Sequence, residues 1–127
     1  MDCSELNRLY DFSGQTIVIT GGTGILGSEI ASALVGCGAN VAILDRYLDP
    51  AKHILELMGL RTNHALAVRA GVLDRESLRK AAEIIQEKFG AVQGLINAAG
   101  GNKPQATTSP DFSFFDLPAD ALRWVFD

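Results

Sequence analysis

Cysteine, histidine and tyrosine are scarce in this chain, and each scarcity closes off a kind of chemistry. Only two of the 127 residues are cysteine (Cys3 and Cys37) and two histidine (His53 and His64). Neither pair has a Cys-x-x-Cys or other metal-ligand spacing, so a disulfide framework, a metal site and a histidine-based triad are not expected. Cys37 falls on the apolar side of a helical pattern and reads as a small buried hydrophobe; the histidines read as surface residues. The two tyrosines, Tyr10 and Tyr47, have no lysine four residues later. Basic runs are also missing, and the net charge is −4, which argues against a nucleic-acid or anionic-membrane partner. No apolar stretch is long enough to span a bilayer. Unpaired thiols and the lack of a leader pattern lead to the expectation of a cytoplasmic protein.

What is present suits one globular domain over residues 1–127, with 47% apolar residues and a core of useful size. Strand and helix patterns alternate. Gln15–Thr20 reads as a strand, and its continuous Ile17-Val18-Ile19 run suits burial on both faces of a parallel sheet. A glycine-rich turn leads into a helix over Ile25–Cys37, with Leu26, Ile30, Ala33, Leu34 and Cys37 on its inner stripe and Gly38 ending it. Val41–Asp45 is a second strand. Pro50 opens a second helix carrying Ile54, Leu55 and Met58 inward. Ala65–Arg69 is a third strand. A helix ending near Phe89 follows, capped by Asp74 and striped by Leu78, Ala81, Ala82, Ile85 and Phe89. Val92–Asn97 is the fourth strand, a Gly- and Thr-containing loop follows, and a last helix starts near Ala119, just after Pro118. This order predicts an α/β, three-layer, doubly wound parallel sheet of Rossmann type. It holds about four strands in the order 3-2-1-4 and lacks the further strands of a complete fold.

The sharpest chemical signal is Thr20-Gly21-Gly22-Thr23-Gly24-Ile25-Leu26-Gly27, because it joins a predicted strand to a predicted helix. Gly21 permits the tight turn, Gly24 lets backbone approach a pyrophosphate, and Gly27 lets the helix pack closely on the sheet. The N–H groups at the helix start, around Thr23 and Ile25, then face the phosphates. Asp45, eighteen residues after Gly27, is placed to accept hydrogen bonds from a ribose 2′-OH and to repel a 2′-phosphate. This favours NAD, while Arg46 keeps NADP open because a guanidinium there could hold a 2′-phosphate. Asn97-Ala98-Ala99-Gly100 leaves room for a ligand at the carboxyl edge of the sheet, with the Asn97 side chain able to bridge strands. Trp124, Val125 and Phe126 read as core or interface. Ser109 and Ser113 lie in or near the loop without a tyrosine–lysine pair.

Taken together, Gly21, Gly24, Gly27, Asp45 and Asn97–Gly100 make the chain similar to the short-chain dehydrogenase/reductase family. The resemblance spans the whole chain and about the front half of a typical member. Asn97–Thr108, Phe114-Phe115-Asp116-Leu117 and Arg123–Asp127 are similar to the D-mannonate (fructuronate) oxidoreductase branch. The resemblance implies a nicotinamide dinucleotide and a secondary alcohol or ketone, such as a sugar acid, as partners of a full-length form. It also implies a homo-oligomer built partly on the last helix. Many members have an Asp-Val pair after the third strand, whose aspartate holds the adenine amino group. Here the pair is Gly71-Val72, so Val72 can cover the ring but the polar contact is missing. The glycine spacing also resembles the extended, epimerase-like branch, while Asn97–Gly100 resembles the main one. The family's catalytic asparagine, tyrosine and lysine are expected beyond residue 127, and its serine has no counterpart placed here, so no catalytic or metal-binding residue is assigned. A cofactor-binding part of an oxidoreductase is expected, with a non-catalytic dinucleotide-binding module and an epimerase-like fragment as alternatives.

Overall fold

The computed structural model describes residues 2–47 and 63–126. Helix α1 (Cys3–Leu9) leads to β1 (Thr16–Thr20), α2 (Ile25–Gly36), β2 (Asn40–Asp45), β3 (Ala65–Arg69), α3 (Arg75–Phe89), β4 (Gly94–Asn97) and α4 (Ala119–Phe126), with short 3-10 turns at Pro104–Ala106 and Phe114–Asp116. The four strands form one parallel sheet in the order β3-β2-β1-β4, as the alternating pattern predicts. The expected helix after Pro50, with Ile54, Leu55 and Met58, and His53 within it, lie outside the described residues.

Alternate residues of each central strand feed opposite faces, and each face has its own helix. Ile17, Ile19, Val41 and Ile43 join Ala31 of α2 and Ala39 on one side, with Leu34, Val35 and Ile96 packed at the margin. Val18, Ala42, Leu44 and Val68 join Ala81 and Ile85 of α3 on the other. Every residue of β1 is buried, which is why its apolar run is continuous rather than alternating. Each fully buried isoleucine, such as Ile19 and Ile43, contributes about 1.5–3 kcal/mol.

The inner stripe of α2 differs from expectation. Leu26 is 75% exposed, and Ile30 and Ala33 are also exposed, whereas Gly27 and Ala31 are buried. Near its start the helix lies so close to the sheet that Gly27 and Ala31 occupy its inner line while Leu26 and Ile30 turn outward; further along, Leu34 packs against the core as expected. Cys37 is half-buried rather than buried, because it is the C-cap and its N–H bonds the carbonyls of Ala33 and Leu34. Gly38 follows with φ +89°, ending the helix as expected.

Asp74 caps α3, accepting from the N–H groups of Glu76 (3.0 Å) and Ser77 (3.1 Å). Ala81 and Ile85 face inward, whereas Ala82 faces solvent, one step off the stripe. Strand β4 starts two residues later than expected. Gln93 spends its side chain on Thr16, whose N–H it accepts at 2.7 Å, while its own N–H donates to the Thr16 carbonyl at 2.9 Å. Val92 is left exposed, as is Leu95 on β4, which is a sheet edge among the described strands. Ile96 is half-buried. Helix α1 was not expected. A reciprocal capping box between Asp2 and Glu5 starts it, and it buries none of its residues. Trp124 (52% exposed) and Phe126 are not core residues among those described, and Val125 is half-buried.

Candidate functional site

The carboxyl ends of β1, β2 and β4 lie side by side, so the turn after β1 is flanked by Asp45 on one side and Asn97 on the other. In this turn the Gly21 N–H donates to the Leu44 carbonyl (2.8 Å), and the Gly24 N–H donates to the Gly21 carbonyl (3.1 Å). Gly21 has φ +66°, and a Cβ there would sit 2.6 Å from the Ala99 Cα. A side chain is excluded on both counts. At Gly27 a Cβ would sit 2.6 Å from the Gly21 carbonyl oxygen and 2.8 Å from the Gly22 Cα. One carbonyl thus closes the turn and sets the distance of α2 from it.

Gly24 is the N-cap of α2 and brings no side-chain cap. It is exposed, and Ile25 and Leu26 beside it are 87% and 75% exposed. The first-turn N–H groups of a helix lack intrahelical acceptors and carry the positive end of its dipole. The mouth of the turn therefore offers donors, no side chain at Gly24 itself and no acid in the first turn. Gly22, given no role from the sequence, is buried against Ile43, and a Cβ there would lie 2.6 Å from the Ile43 Cγ2.

Asp45 ends β2 and is partly buried. Its Oδ2 accepts from the Thr23 hydroxyl (2.5 Å) and the Thr23 N–H (3.3 Å), and its Oδ1 accepts from the Tyr47 N–H (3.4 Å). Burial pushes its pKa up, but the hydrogen bonds from Thr23, then from the Tyr47 and Arg46 N–H groups, outweigh this and hold it below the ordinary carboxylate value. The Arg46 guanidinium lies over the Tyr47 ring, 5.8 Å from its centroid.

After β3, the Gly71 N–H donates to the Ser77 hydroxyl oxygen (3.1 Å), and that hydroxyl lies within donating distance of the Gly71 and Asp74 carbonyls. Nothing crowds Gly71, where a Cβ would be 3.9 Å from Arg46 Cγ and Asp74 Cβ. Val72 beside it is 46% exposed. On the other flank, the Ala98 N–H donates to the Thr20 carbonyl (3.1 Å), and the Ala99 N–H donates to the Thr20 hydroxyl (3.3 Å). The buried Thr20 thus supplies the side-chain bridge between strands expected of Asn97, which is exposed. Asn97, Ala98 and Gly100 border the open edge. The loop beyond them folds around an open cleft of about 510 Å³ lined by Asn102, Lys103, Thr107, Thr108, Ser109 and Phe112. Lys103 Nζ lies 4.3 Å from the centroid of the Trp124 ring on α4.

Tyr10 and Tyr47 are exposed. Among the described residues no group of three or more His, Cys, Asp or Glu side chains could hold a metal ion. Nor is any helix among them long and apolar enough to cross a membrane.

A parallel sheet with helices on both faces and a glycine turn at its switch point defines a Rossmann-type α/β protein. The model of the short chain dehydrogenase family matches residues 15–116, and the chain belongs to that family. It is 41% identical over 124 residues to the uncharacterized oxidoreductase UxuB of Bacillus subtilis (strain 168), covering 91% of this chain and 45% of that protein. It is 31% identical over 114 residues to the 7alpha-hydroxysteroid dehydrogenase of Escherichia coli (strain K12), covering 90% and 42%. Among solved structures it is similar to a Haemophilus influenza protein designated a D-mannonate oxidoreductase, with bound NAD. The TM-score is 0.78 and the identity 29%, over 95% of this chain and 47% of that one. It is also similar to the 3-ketoacyl-(acyl-carrier-protein) reductase of Brucella melitensis complexed with NADH, with TM-score 0.66 and 31% identity over 83% and 43%. The chain spans less than half the length of these relatives.

Proposed function

We propose that the chain is the cofactor-binding part of an NAD-dependent oxidoreductase that acts on a secondary alcohol or ketone of a sugar acid. The observation that carries this reading is the turn itself: an uncapped helix N-terminus behind Gly24, with a fixed carboxylate, Asp45, one strand away. The glycines clear the space a pyrophosphate needs, and the first-turn N–H groups of α2, at Ile25 and beyond, donate to it. Asp45 accepts from the adenosine ribose, with Thr23 and Arg46 at its rim. Val72, exposed beside Gly71, would cover the adenine. Asn97, Ala98 and Gly100 bound the side toward the nicotinamide. When bound, the dinucleotide supplies the hydride acceptor or donor.

The substrate class rests on the similarity to the designated D-mannonate oxidoreductase and on the loop after β4. Its cleft offers hydroxyl groups, an amide and one cation, Lys103, which suits a polyhydroxylated anion. The test is to express the complete reading frame that carries these residues and to follow nicotinamide absorbance with D-mannonate and D-fructuronate. Turnover of D-mannonate with NAD, or of D-fructuronate with NADH, is expected. Binding of neither NADH nor NADPH would refute the cofactor reading, and nucleotide binding without turnover of any hydroxy or oxo sugar acid would refute the substrate class.

A further inference from the structure

Thr23 lies twenty-two residues from Asp45 in the sequence, yet donates to its Oδ2 through both the hydroxyl and the backbone N–H. The turn does not need the hydroxyl, since the Gly21 carbonyl and the N–H groups of Gly24 and Gly21 already close and anchor it. The hydroxyl serves the carboxylate instead. An aspartate at a strand end ordinarily exchanges among rotamers, whereas two donors on one oxygen fix the plane of this one. The other oxygen has one long partner, the Tyr47 N–H at 3.4 Å, so it keeps acceptor capacity for an incoming hydroxyl.

A carboxylate held in this way discriminates more sharply than a free one. A ribose with a free 2′-OH donates to Oδ1 without displacing Thr23. A 2′-phosphate meets a charge that cannot swing aside, and hydrogen bonds to the ionised form oppose its neutralisation by protonation. The Arg46 cation, which could otherwise hold such a phosphate, lies over the Tyr47 ring. Resting on the dinucleotide reading of this turn, we propose that Thr23 is a positioning residue that makes the protein selective for the nucleotide with an unmodified ribose, by locking the Asp45 carboxylate in place.

Two variants separate the hydroxyl from the rest of the side chain. Thr23→Val keeps the shape and the backbone donor but loses the hydroxyl, and Thr23→Ser keeps the hydroxyl. The readouts are fluorescence titrations with NADH and NADPH, and the titration of the Asp45 carboxyl by NMR without nucleotide. In Thr23→Val the preference for NADH over NADPH should fall about tenfold, the scale of one hydrogen bond to a charged group. The Asp45 titration should move upward in the same variant. Thr23→Ser should keep the wild-type preference within about twofold and leave the Asp45 titration in place. An unchanged preference in Thr23→Val, or the same loss in Thr23→Ser, overturns the inference while leaving dinucleotide binding intact. A wild-type protein that binds neither nucleotide overturns both.

Discussion

Replacing glycine by alanine at two positions of the same helix should change stability in opposite directions. Gly27 and Gly36 both belong to α2. At Gly36 a Cβ meets nothing within 4 Å, so Gly36→Ala lowers the entropy of the unfolded chain at no steric cost and should stabilise by about 0.5–1 kcal/mol. At Gly27 the Cβ falls 2.6 Å from the Gly21 carbonyl oxygen, where ordinary contact begins at 3.4 Å. That oxygen and the Gly22 Cα, 2.8 Å away, are both backbone, and Gly21 is itself wedged against Ala98 and Ala99, so the helix must retreat by about 0.8 Å or the turn must open. Overpacking of this kind costs about 1–3 kcal/mol. For a chain of this length each kcal/mol shifts Tm by about 3–5 °C. Thermal unfolding followed by circular dichroism should therefore place Gly27→Ala roughly 3–15 °C below wild type and Gly36→Ala about 2–5 °C above it. NADH affinity should fall about tenfold or more in Gly27→Ala alone, since a retreat of this size removes donors from hydrogen-bonding range. A Gly27→Ala protein as stable as Gly36→Ala would refute the claim that the Gly21 carbonyl sets the helix position.

Removing the cap in Asp74→Ala should destabilise by about 1 kcal/mol, read as a lower denaturation midpoint at unchanged slope. Adding a carboxylate in Gly71→Asp should be tolerated, because the nearest atoms to the new Cβ are 3.9 Å away, and should tighten NADH binding by about threefold to tenfold if it reaches the adenine amino group. Because the Asp45 pKa is lowered in the folded chain, its hydrogen bonds stabilise the fold above the ordinary carboxylate pKa, and that contribution is lost as pH falls through the folded value. The stability gap between wild type and Asp45→Asn, measured by urea unfolding across the acid range, should therefore narrow as pH falls; a constant gap would contradict the Thr23–Asp45 bonds.

The sheet was legible because parallel strands buried on both faces write uninterrupted apolar runs, and Ile17-Val18-Ile19 is such a run. The glycine turn was legible because backbone crowding at Gly21 and Gly27 leaves no alternative residue. Periodicity placed Leu34 on the inner face of α2 but also Leu26, Ile30 and Ala33, which are exposed, because it weighs side-chain size, and here the closest contact is made where there is no side chain at all. The Gln93 shortening of β4 and the Thr20 bridge involve polar groups that meet only in the fold, and nothing local announces them. Gly22 could have been found by counting, since three other glycines already suffice for the motif. The capping box of α1 is written in the sequence as Asp2-x-x-Glu5, but Leu6, Leu9 and Tyr10 beside it stay exposed, so the helix stands apart from the buried core that the apolar patterns report.

Gly21 joins the turn to the helix through its carbonyl and to the sheet through its N–H, and rigidity at that point has an energetic meaning. A loop that must organise itself around a ligand loses part of the binding free energy to its own ordering. This one is held by hydrogen bonds to the Leu44 carbonyl of β2, within the turn itself, and from Ala98 and Ala99 just beyond β4 to Thr20. Affinity here should therefore depend on the match between the ligand and a fixed frame. Selectivity becomes a matter of which side chains, Thr23 and Asp45 first, stand at the edge of that frame.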